Sequence, residues 1–483
     1  MQHTLRLALA TAAAAALTGG LLITLPASPA LAAPSGPAGD FNGDGYRDVA
    51  VGAMGADAGS VQDAGAVVVL YGSSSGISAT KRTVITQDST GVPGAAESDD
   101  RFGSSLAAGD LNGDGYADLV VGSQYEAIGD RDGVGSLTIL WGGSGGLSGG
   151  AGLPQPADLP EWGGYGASVA TGDFDGDGKT DVTATGQGRV HLYRGGFTRT
   201  GTPLSHTDVG ELGGAYEAIA GDINGDKAAE RVYPFLVDGD ERGQIGYFRH
   251  DPGNMDHPES DYALTDLPNA DGEHGTIGDV NGDGYGDLVL GDYTDPRPGV
   301  TGGHKGGQIS VWYGGPNGPD PAQTPTVIHQ DTTGVPGSGE TDDIFGASVT
   351  VGDINGDKYA DVAVGAPGED LGSVQDAGSV TVLFGSAGGL TGTGAKSYTQ
   401  DTAGVPGSSE YMDWFGGSVR LVDFDRTGKA DLVVGAAYEN GTGALTTLRG
   451  TASGPTTSGA TFISAANVAV KGGNPTFAWD IAP

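Results

Sequence analysis

A nine-residue acidic segment occurs seven times in the chain, and its side chains are of the types that bind cations. The copies begin at Asp40, Asp110, Asp173, Asp222, Asp279, Asp353 and Asp423. Oxygen-bearing side chains recur at positions 1, 3, 5 and 9, and position 6 is Gly in five of the seven copies. Glycine permits the sharp bend that a side chain would resist. Because Ca²⁺ takes about six to eight oxygen ligands from carboxylates, amides, backbone carbonyls and water, the spacing predicts one calcium loop per copy.

The predicted ligands are the side chains at positions 1, 3, 5 and 9 together with the backbone carbonyl at position 7. They are Asp40, Asn42, Asp44, Tyr46 and Asp48; Asp110, Asn112, Asp114, Tyr116 and Asp118; Asp173, Asp175, Asp177, Lys179 and Asp181; Asp222, Asn224, Asp226, Ala228 and Glu230; Asp279, Asn281, Asp283, Tyr285 and Asp287; Asp353, Asn355, Asp357, Tyr359 and Asp361; and Asp423, Asp425 and Asp431. Some copies depart from the pattern, with Lys227 and Lys358 replacing Gly, and with Arg426 and Thr427 in copy 7. We therefore expect five to seven bound Ca²⁺ ions.

An EF-hand is the nearest competing interpretation of these segments, and its loop needs a bidentate acid at the last position. The corresponding residues are Val51, Val121, Ala184, Tyr233, Leu290, Val364 and Val434, and none is acidic. They belong to short runs rich in β-branched residues and ended by Gly, such as residues 48–53, which are typical of strands. A single copy could equally be a solvated Asx-rich turn. Seven copies in equivalent surroundings favour calcium.

Each acidic loop lies inside a longer repeat. Upstream stands Phe102-Gly103, which recurs at residues 345–346 and 415–416, with a Tyr-Gly version at 165–166. Downstream stands the strand 65–72, which recurs at residues 135–142, 307–314 and 378–385, and a fourth strand such as 82–87 follows in some copies. A four-stranded unit cannot bury both of its faces alone, whereas packing such units radially can. The pattern predicts an all-β propeller of antiparallel blades.

The Phe-Gly pair, the acidic loop and the Gly-Ala-Val strand together resemble the FG-GAP repeat. That repeat builds the seven-bladed β-propeller of integrin α subunits and occurs in secreted bacterial proteins. The resemblance covers about residues 40–483, and its seven copies match the blade number of the family. Residues 87–94, 330–337 and 400–407 strengthen the match to bacterial members. The resemblance implies calcium in the loops between first and second strands, and a non-catalytic role in recognition or cell adhesion.

Ring closure is predicted by the two ends of the repeat region. The first acidic loop has no Phe-Gly strand before it, so blade 1 lacks an inner strand. Residues 477–482, Phe-Ala-Trp-Asp-Ile-Ala, have the spacing of residues 102–107. We therefore expect the C-terminal strand to insert as the inner strand of blade 1. The predicted domain spans residues 33–483.

The first 32 residues have the features of a secretory signal peptide. Arg6 precedes an apolar stretch over residues 7–25, and Ala30-Leu31-Ala32 provides a cleavage site. A membrane anchor is the alternative, although the cleavage site favours removal after Ala32. We expect a secreted, extracellular protein with no membrane span in the mature chain, because no other segment is long and apolar enough.

Composition excludes several classes of function. The 61 acidic and 23 basic residues give a formal charge of −38, which argues against nucleic acid or an anionic membrane as partner. The absence of Cys from the sequence excludes disulfides, thiolate-zinc sites and Cys nucleophiles. Two five-residue GxSxG segments that resemble a Ser nucleophile elbow, residues 72–76 and 142–146, follow a third strand, so they are expected to be turns.

The eight His residues show neither an HxH nor an HExxH pattern, and His250, His257, His274 and His304 are expected in exposed loops. Paired catalytic carboxylates remain open in so acidic a chain. The alternatives to recognition are therefore a secreted propeller enzyme, such as a polysaccharide lyase or hydrolase, and a calcium-stabilised lectin.

The longest loops are expected together on the face opposite the calcium loops. They are residues 52–64, 87–101, 122–134, 291–306, 330–344, 365–377 and 400–414. Aromatic residues suited to contacts with a protein or glycan lie in or beside these loops, namely Tyr125, Trp162, Tyr293, Tyr411, Trp414 and Tyr438. We therefore expect a protein or glycan ligand on this face.

Overall fold

The computed structural model describes residues 39–156, 159–186, 188–211, 217–236, 243–248, 265–267, 270–296 and 302–483. The predicted signal peptide, residues 1–32, lies outside these ranges and stays a prediction. Within the described ranges, regular structure consists of β-strands and one short 3₁₀ helix, Glu439–Gly441. A search of the described residues finds no helix of sufficient length and hydropathy to cross a membrane.

The strands are numbered in chain order. The first half comprises β1 (Val49–Ala53), β2 (Ala66–Leu70), β3 (Arg82–Ile85), β4 (Phe102–Gly109), β5 (Asp118–Ser123), β6 (Ser136–Trp141), β7 (Ser148–Gly152), β8 (Ser168–Gly172), β9 (Asp181–Gly186), β10 (Arg189–Tyr193), β11 (His206–Glu211), β12 (Ile219–Gly221), β13 (Glu230–Leu236) and β14 (Gly243–Phe248). The second half comprises β15 (Thr265–Asp266), β16 (His274–Gly278), β17 (Asp287–Asp292), β18 (Gln308–Trp312), β19 (Thr326–Ile328), β20 (Ser348–Gly352), β21 (Asp361–Ala366), β22 (Ser379–Leu383), β23 (Lys396–Tyr398), β24 (Phe415–Val422), β25 (Asp431–Ala436), β26 (Ala444–Arg449), β27 (Thr456–Ser464) and β28 (Phe477–Ala482).

These strands form seven four-stranded antiparallel sheets, which confirms the predicted seven-bladed propeller. Blades 2 to 7 each use four consecutive strands, β4–β7, β8–β11, β12–β15, β16–β19, β20–β23 and β24–β27. Blade 1 has the order β28-β1-β2-β3. The innermost strands contact one another in a closed series, from β28 through β4, β8, β12, β16, β20 and β24 back to β28.

The hydrophobic core is divided among the junctions between blades. All five residues of β1 and all six of β5 are buried, because both faces of each sheet pack against a neighbouring blade. The described residues form seven apolar clusters, and each joins residues of two adjacent blades. Burial on both faces explains why these strands are continuous apolar runs instead of alternating polar and apolar positions.

The C-terminal strand closes the ring, as predicted. β28 pairs antiparallel with β1, with Ala482 opposite Ala50 and Ile481 opposite Val51. Phe477 and Ile481 are fully buried in the cluster shared by blades 7 and 1. Blade 1 is therefore assembled from both ends of the repeat region.

The Phe-Gly pair marks a bulge at the start of the inner strands. Gly103 has φ +92°, and the register between β4 and β5 shifts between Phe102 and Ser105. A Cβ on Gly103 would lie 2.8 Å from the carbonyl oxygen of Ala66, so backbone conformation and space both favour Gly. In the closing strand the same place is held by Ala478, at φ +72°.

Both GxSxG segments, residues 72–76 and 142–146, are turns between a third and a fourth strand, as predicted. The N–H of Gly76 donates to the carbonyl of Ser73 at 2.7 Å, and the N–H of Gly146 donates to the carbonyl of Gly143 at 2.7 Å. Neither Ser74 nor Ser144 precedes a helix, so the strand-to-helix geometry of a nucleophile elbow is missing at these two serines.

Candidate functional site

In blades 2 to 7 the acidic loop joins the inner strand to the second strand, where the sequence placed it, and loop 1 directly precedes β1, the second strand of blade 1. In loop 1 the carboxylate of Asp40 accepts the N–H groups of Gly43, Asp44 and Gly45 at 2.7, 3.2 and 2.8 Å. The side-chain oxygen of Asn42 accepts the N–H of Asp44 at 2.8 Å. These bonds wrap the backbone around the position 1 carboxylate, and the other loops repeat them with small variations.

The side chains at positions 1, 3 and 5 come together in the loops. In loop 3, carboxylate oxygens of Asp173, Asp175 and Asp177 lie within 4.8 Å of one another. The position 5 oxygen also accepts the N–H of position 7, as Asp44 does from Tyr46 at 2.9 Å. Three oxygen-bearing side chains thus converge, which is the donor set that Ca²⁺ prefers.

The acid at position 9 has a structural role that sequence reasoning missed. In loop 2, Asp118 is fully buried, and one oxygen accepts the N–H of Leu111 at 3.0 Å. Its other oxygen accepts the N–H of Gly142, at the end of the third strand, at 2.8 Å. The same bond to a third-strand Gly occurs in five further loops, to Gly72, Gly195, Gly314, Gly385 and Gly450. Each oxygen keeps a second lone pair, so these bonds are compatible with metal ligation.

Burial raises the pKa of the position 9 Asp in six of the loops. Desolvation raises the pKa of Asp48, Asp118, Asp181 and Asp361 to about 7, and that of Asp287 and Asp431 to about 6. The backbone N–H bonds lower these values in part, and the charges at positions 1 and 5 or 3 raise them further. The negative charge of these carboxylates is therefore unfavourable without a counter-charge. A divalent cation beside them would supply it.

Basic side chains already neutralise part of the charge in three loops. Lys179 and Arg194 pair with Asp177 and Asp175 in loop 3. Arg199 lies 2.5 Å from Asp114 of loop 2, and Arg449 lies 2.6 Å from Asp425 of loop 7. In the part of the chain that the structure describes, no ion pair of this kind involves the acids of loops 1, 5 or 6. Those three loops carry the most uncompensated negative charge.

The loops also contact one another around the ring. The N–H at position 8 of one loop donates to the position 1 carbonyl of the loop before it, as Ala117 does to Asp40 at 3.0 Å and Ala360 to Asp279 at 2.9 Å. The ring of Tyr116, at position 7, packs on Gly43 of loop 1, where a Cβ would meet it at 2.5 Å. The order of one loop is thus coupled to that of its neighbours.

A cavity of about 450 Å³ lies at the centre of the propeller, towards the face opposite the acidic loops. It is lined by one residue from the equivalent position of every blade, which lies in the inner strand or, in blade 4, two residues before it. Around the ring these are Asp480, Ser105, Ser168, Glu217, His274, Ser348 and Ser418, in blades 1 to 7. Four blades have Ser there, and the other three have an ionisable residue.

The Ser residues show what this position does structurally. The hydroxyls of Ser105, Ser348 and Ser418 each donate to a backbone carbonyl of the next blade at 2.7 Å. Asp480 and Glu217 also link to the next blade, because each accepts a backbone N–H, from Leu106 at 2.8 Å and from Gly275 at 2.9 Å. Since Ser makes such links without charge, the fold does not require ionisable residues at this position.

Four charged or titratable groups face each other in this cavity. Arg420 Nη2 lies 3.4 Å from Asp480 Oδ1, and His274 Nδ1 lies 3.5 Å from Glu217 Oε2. Burial by itself would lower the pKa of His274, but its bond to Glu217 and the nearby acids raise the pKa above its usual value. Burial raises the pKa of Asp480, against the opposing charge of Arg420. Such perturbed groups in a cleft are typical of functional sites.

Aromatic rings line the same cavity. Trp479, from the closing strand, is 38% exposed, and Trp414 and Tyr293 extend the lining from the loops of that face. The ring of Tyr293 stacks on His274 with centroids 5.8 Å apart, and Trp414 meets Tyr438 edge-on at 5.0 Å. An apolar wall beside convergent polar groups is the usual composition of a ligand site.

The predicted aromatic residues are only partly exposed. Trp162 and Tyr411 are each 64% exposed, whereas Tyr125, Tyr293, Trp414 and Tyr438 are half-buried. Trp479 was missed, because the closing strand was read only as a structural element. Trp479 and Asp480 align with Ser104 and Ser105 when residues 477–482 are matched to residues 102–107, but only the structure shows that these positions line the cavity.

The expectation that the His residues lie in exposed loops was wrong for His274, which begins an inner strand and lines the central cavity. His304 lies in a loop as expected, but its ring stacks on His329. His250 and His257 lie outside the described residues.

Comparison with known proteins supports the sequence patterns. The family model of the FG-GAP repeat matches residues 32–70, 102–140 and 345–383, and that of the FG-GAP-like repeat matches residues 173–233. The chain contains FG-GAP repeats. Its first, second and sixth repeats match the former model, and the latter covers the region of the third and fourth.

Curated relatives share these FG-GAP repeats over part of their length. Integrin alpha-PS2 of Drosophila melanogaster is 30% identical over 225 residues, which is 42% of this chain and 15% of that protein. Phosphatidylinositol-glycan-specific phospholipase D of Dictyostelium discoideum is 29% identical over 181 residues, 36% of this chain and 18% of the enzyme. Integrin alpha-6 of Homo sapiens is 31% identical over 188 residues, 38% of this chain and 14% of the integrin. The matches thus span less than a fifth of each of these three proteins. Among solved structures, the Dos1 propeller overlaps 76% of this chain and 70% of its own, at 13% identity and a TM-score of 0.38.

Proposed function

We propose that the protein is a secreted recognition module, in which calcium stabilises the propeller and the central cavity receives a protein or glycan ligand. The observation that carries this proposal is the set of seven residues, one from each blade, that lines the central cavity. Four blades use Ser at this position, whereas Asp480, Glu217 and His274 place titratable groups in a cavity walled by Trp residues. Burying ionisable groups costs free energy. A ligand that uses those groups would account for them, and the similarity to integrin α chains adds support.

In this proposal the acidic loops hold Ca²⁺ through the side chains at positions 1, 3, 5 and 9 and the carbonyl at position 7. The ion supplies positive charge where three or four acids meet. Loops 1, 5 and 6 bind most tightly, because no described basic side chain competes there. Loop 7 binds least, since Arg449 pairs with Asp425 and Thr427 replaces an acid.

Binding to glycan arrays and to immobilised extracellular-matrix proteins tests the recognition role. The protein with Ca²⁺ is compared with Trp479→Ala and with the double variant Glu217→Gln, His274→Gln. We expect a subset of glycans or proteins to be retained, and at least a tenfold loss of binding in the cavity variants. Leu204→Ala, which removes an exposed apolar side chain between β10 and β11 and outside the cavity, is the matched control and should bind normally. Absence of any binding, or equal binding by all variants, would contradict the proposal.

An enzyme is the second candidate, because His274 paired with Glu217 beside Arg420 offers acid–base chemistry in an enclosed cavity. Polysaccharide lyase or hydrolase activity would release unsaturated or reducing ends from a panel of polysaccharides. Turnover that is lost in His274→Ala, while the melting curve is retained, would establish catalysis in place of simple recognition. Binding without turnover across the panel would favour the recognition module.

A further inference from the structure

Two His residues and one Asp of blade 5 come together outside the acidic loops and outside the cavity. His304 lies in the loop before β18, His329 directly follows β19, and Asp331 is two residues further on. The imidazole rings stack with centroids 3.5 Å apart and planes 5° apart. One nitrogen from each ring and one oxygen of Asp331 lie within 4.8 Å of one another.

In this cluster two acceptor atoms lie close together without a hydrogen-bond donor between them, and a buried ring nitrogen has no hydrogen-bond partner. His304 Nδ1 lies 2.8 Å from the carbonyl oxygen of Lys305, so this nitrogen carries the proton and donates it. The Nε2 atom then has a lone pair, and it faces Asp331 Oδ2 at 3.4 Å. Two acceptors this close repel each other unless a cation or a proton lies between them. In addition, His329 Nδ1 is buried and has no hydrogen-bond partner.

The sister blades show that the scaffold does not need these imidazoles. Counting back from Gly307, Gly378 and Gly65, the place of His304 is taken by Gln375 in blade 6 and Gln62 in blade 1. The place of His329 is taken by Thr399 and Thr86.

Around the position of His329 the backbone nevertheless follows the same course in all three blades. The N–H of His329 donates to the Thr332 hydroxyl at 3.0 Å, and Thr399 donates to Thr402 at 2.9 Å. Asp331 Oδ1 accepts the N–H of Gly339 at 3.1 Å, and Asp401 Oδ1 accepts that of Ser409 at 3.2 Å. One oxygen of this Asp therefore stabilises the backbone in both blades. Of the three blades compared, only blade 5 also places two imidazoles beside the Asp.

We propose that blade 5 carries a second class of metal site, which binds a first-row transition-metal dication such as Zn²⁺ through His304, His329 and Asp331. Imidazole nitrogen suits Zn²⁺, Co²⁺, Ni²⁺ and Cu²⁺, whereas Ca²⁺ takes oxygen ligands. Ligands of a tetrahedral Zn²⁺, at bond lengths of about 2.1 Å, are separated by roughly 3.4 Å. The 4.8 Å limit exceeds this spacing by about 1.4 Å, so metal binding requires the two stacked rings to turn towards the ion. Three protein ligands leave a fourth position for water or for a group of a bound partner.

Titration calorimetry with Zn²⁺ in excess Ca²⁺ tests this site, because Ca²⁺ occupies the oxygen-rich loops during the measurement. The matched variant His304→Gln, His329→Thr installs the residues that blade 6 already has, so it is expected to fold. We expect the parent protein to bind one Zn²⁺ that the variant binds at least about tenfold more weakly. Calcium-dependent melting should be the same in both proteins.

Co²⁺ provides a spectroscopic readout, since imidazole ligation in a tetrahedral site gives intense visible absorption bands that hydrated Co²⁺ lacks. The bands should appear with the parent protein and be absent with the variant. Conversely, Gln375→His with Thr399→His, beside Asp401, should create a second site in blade 6 and raise the count to two ions. No zinc binding in excess Ca²⁺, equal affinity in parent and double variant, or no additional ion in the blade 6 variant would each overturn the proposal.

Discussion

At the scale of single residues, the acidic loops divide their oxygen atoms between two tasks. The acids at positions 1 and 9 accept backbone N–H groups and are buried or half-buried, so they hold the loop together. The residue at position 5 is exposed in all seven loops, whereas position 3 is half-buried or, at Asn224, buried. Substitutions at position 9 and position 5 should therefore have different consequences.

Asp118→Asn should destabilise the protein with or without calcium, because one of two buried N–H groups loses its acceptor. An unsatisfied buried donor costs about 1–3 kcal/mol. Asp114→Asn keeps the side-chain oxygen that Tyr116 uses and loses only a solvent-exposed ion pair with Arg199, so its effect should be small in chelator and large when Ca²⁺ is present. Urea unfolding at pH 8, above the pKa of about 7 of Asp118, measures both variants. Equal effects of the two substitutions in chelator would contradict this division of roles.

Three buried or half-buried Glu residues predict a pH dependence that does not involve the acidic loops. Burial raises the pKa of Glu126, Glu369 and Glu439 to about 7, and neighbouring acids raise it further, against a hydrogen bond from a Gln side chain. The unfolded chain releases these protons near pH 4.5, whereas the folded chain keeps them to about pH 7. The free energy of unfolding should therefore fall as pH rises through this window.

The triple variant Glu126→Gln, Glu369→Gln, Glu439→Gln should flatten that decline, while the exposed control Glu161→Gln should not. Denaturant unfolding at fixed, saturating Ca²⁺ from pH 4.5 to 7 provides the comparison. A triple variant that follows the pH profile of the parent protein would show that these carboxyls titrate normally.

At the scale of elements, a Gly with positive φ stands at or just before the inner strands of blades 2, 3, 6 and 7, whereas the closing strand of blade 1 has Ala there. Gly103, Gly166, Gly346 and Gly416 all have φ between +87° and +104°, whereas Ala478 adopts φ +72° in the same place of the closing strand. A left-handed conformation costs an L-residue about 1–2 kcal/mol.

Ala478→Gly should therefore stabilise the protein by up to about 1 kcal/mol, after the larger unfolded-state entropy of Gly is counted. The gain should be visible in thermal melting and in urea midpoints. Gly416→Ala, the reverse change in blade 7, should destabilise. An Ala478→Gly variant that is less stable than the parent would mean that the methyl group contributes more by packing than it costs in strain.

The closing strand is also the element on which cooperativity depends. Deleting residues 475–483 removes Phe477 and Ile481 from the core between blades 7 and 1 and leaves β1 unpaired on its inner side. We expect loss of the cooperative melting transition, followed by circular dichroism. A deletion mutant that melts as sharply as the parent would refute this role.

A circular permutant gives the control for this deletion. A Cβ on Gly39 would lie 2.3 Å from the carbonyl carbon of Pro483, so these two residues can be joined by a short Gly linker. A chain of residues 475–483, the linker and residues 39–474 keeps all four strands of blade 1. It should fold and melt cooperatively.

At the scale of the whole molecule, the formal charge of −38 predicts a ring whose stability depends on cations. Adjacent loops are linked by backbone bonds, so repulsion within one loop reaches the next. A ligand at a hundred times its Kd adds about 2.7 kcal/mol per site. Chelation should therefore lower the melting midpoint strongly.

Metal analysis of the dialysed protein should find five to seven Ca²⁺, with loops 1, 5 and 6 the last to empty on titration with chelator. In the chelated protein, added NaCl should recover part of the lost stability, because salt screens the repulsion between exposed acids. A melting midpoint that is unchanged by chelator would contradict the proposed role of calcium in stability.

The sequence by itself determined the repeat, the strands around each acidic loop and the pairing of both ends of the repeat region in blade 1. These features recur along the sequence, so continuous apolar runs, Gly positions and repetition specify them. The tertiary structure decided which repeat positions meet on the propeller axis. Asp480, Glu217 and His274 come from three separate blades, and they face one cavity only because closure turns each inner strand towards a common centre. The same holds for His304 and His329, which lie in different loops of blade 5 and stack only after the outer strand folds back beside the third.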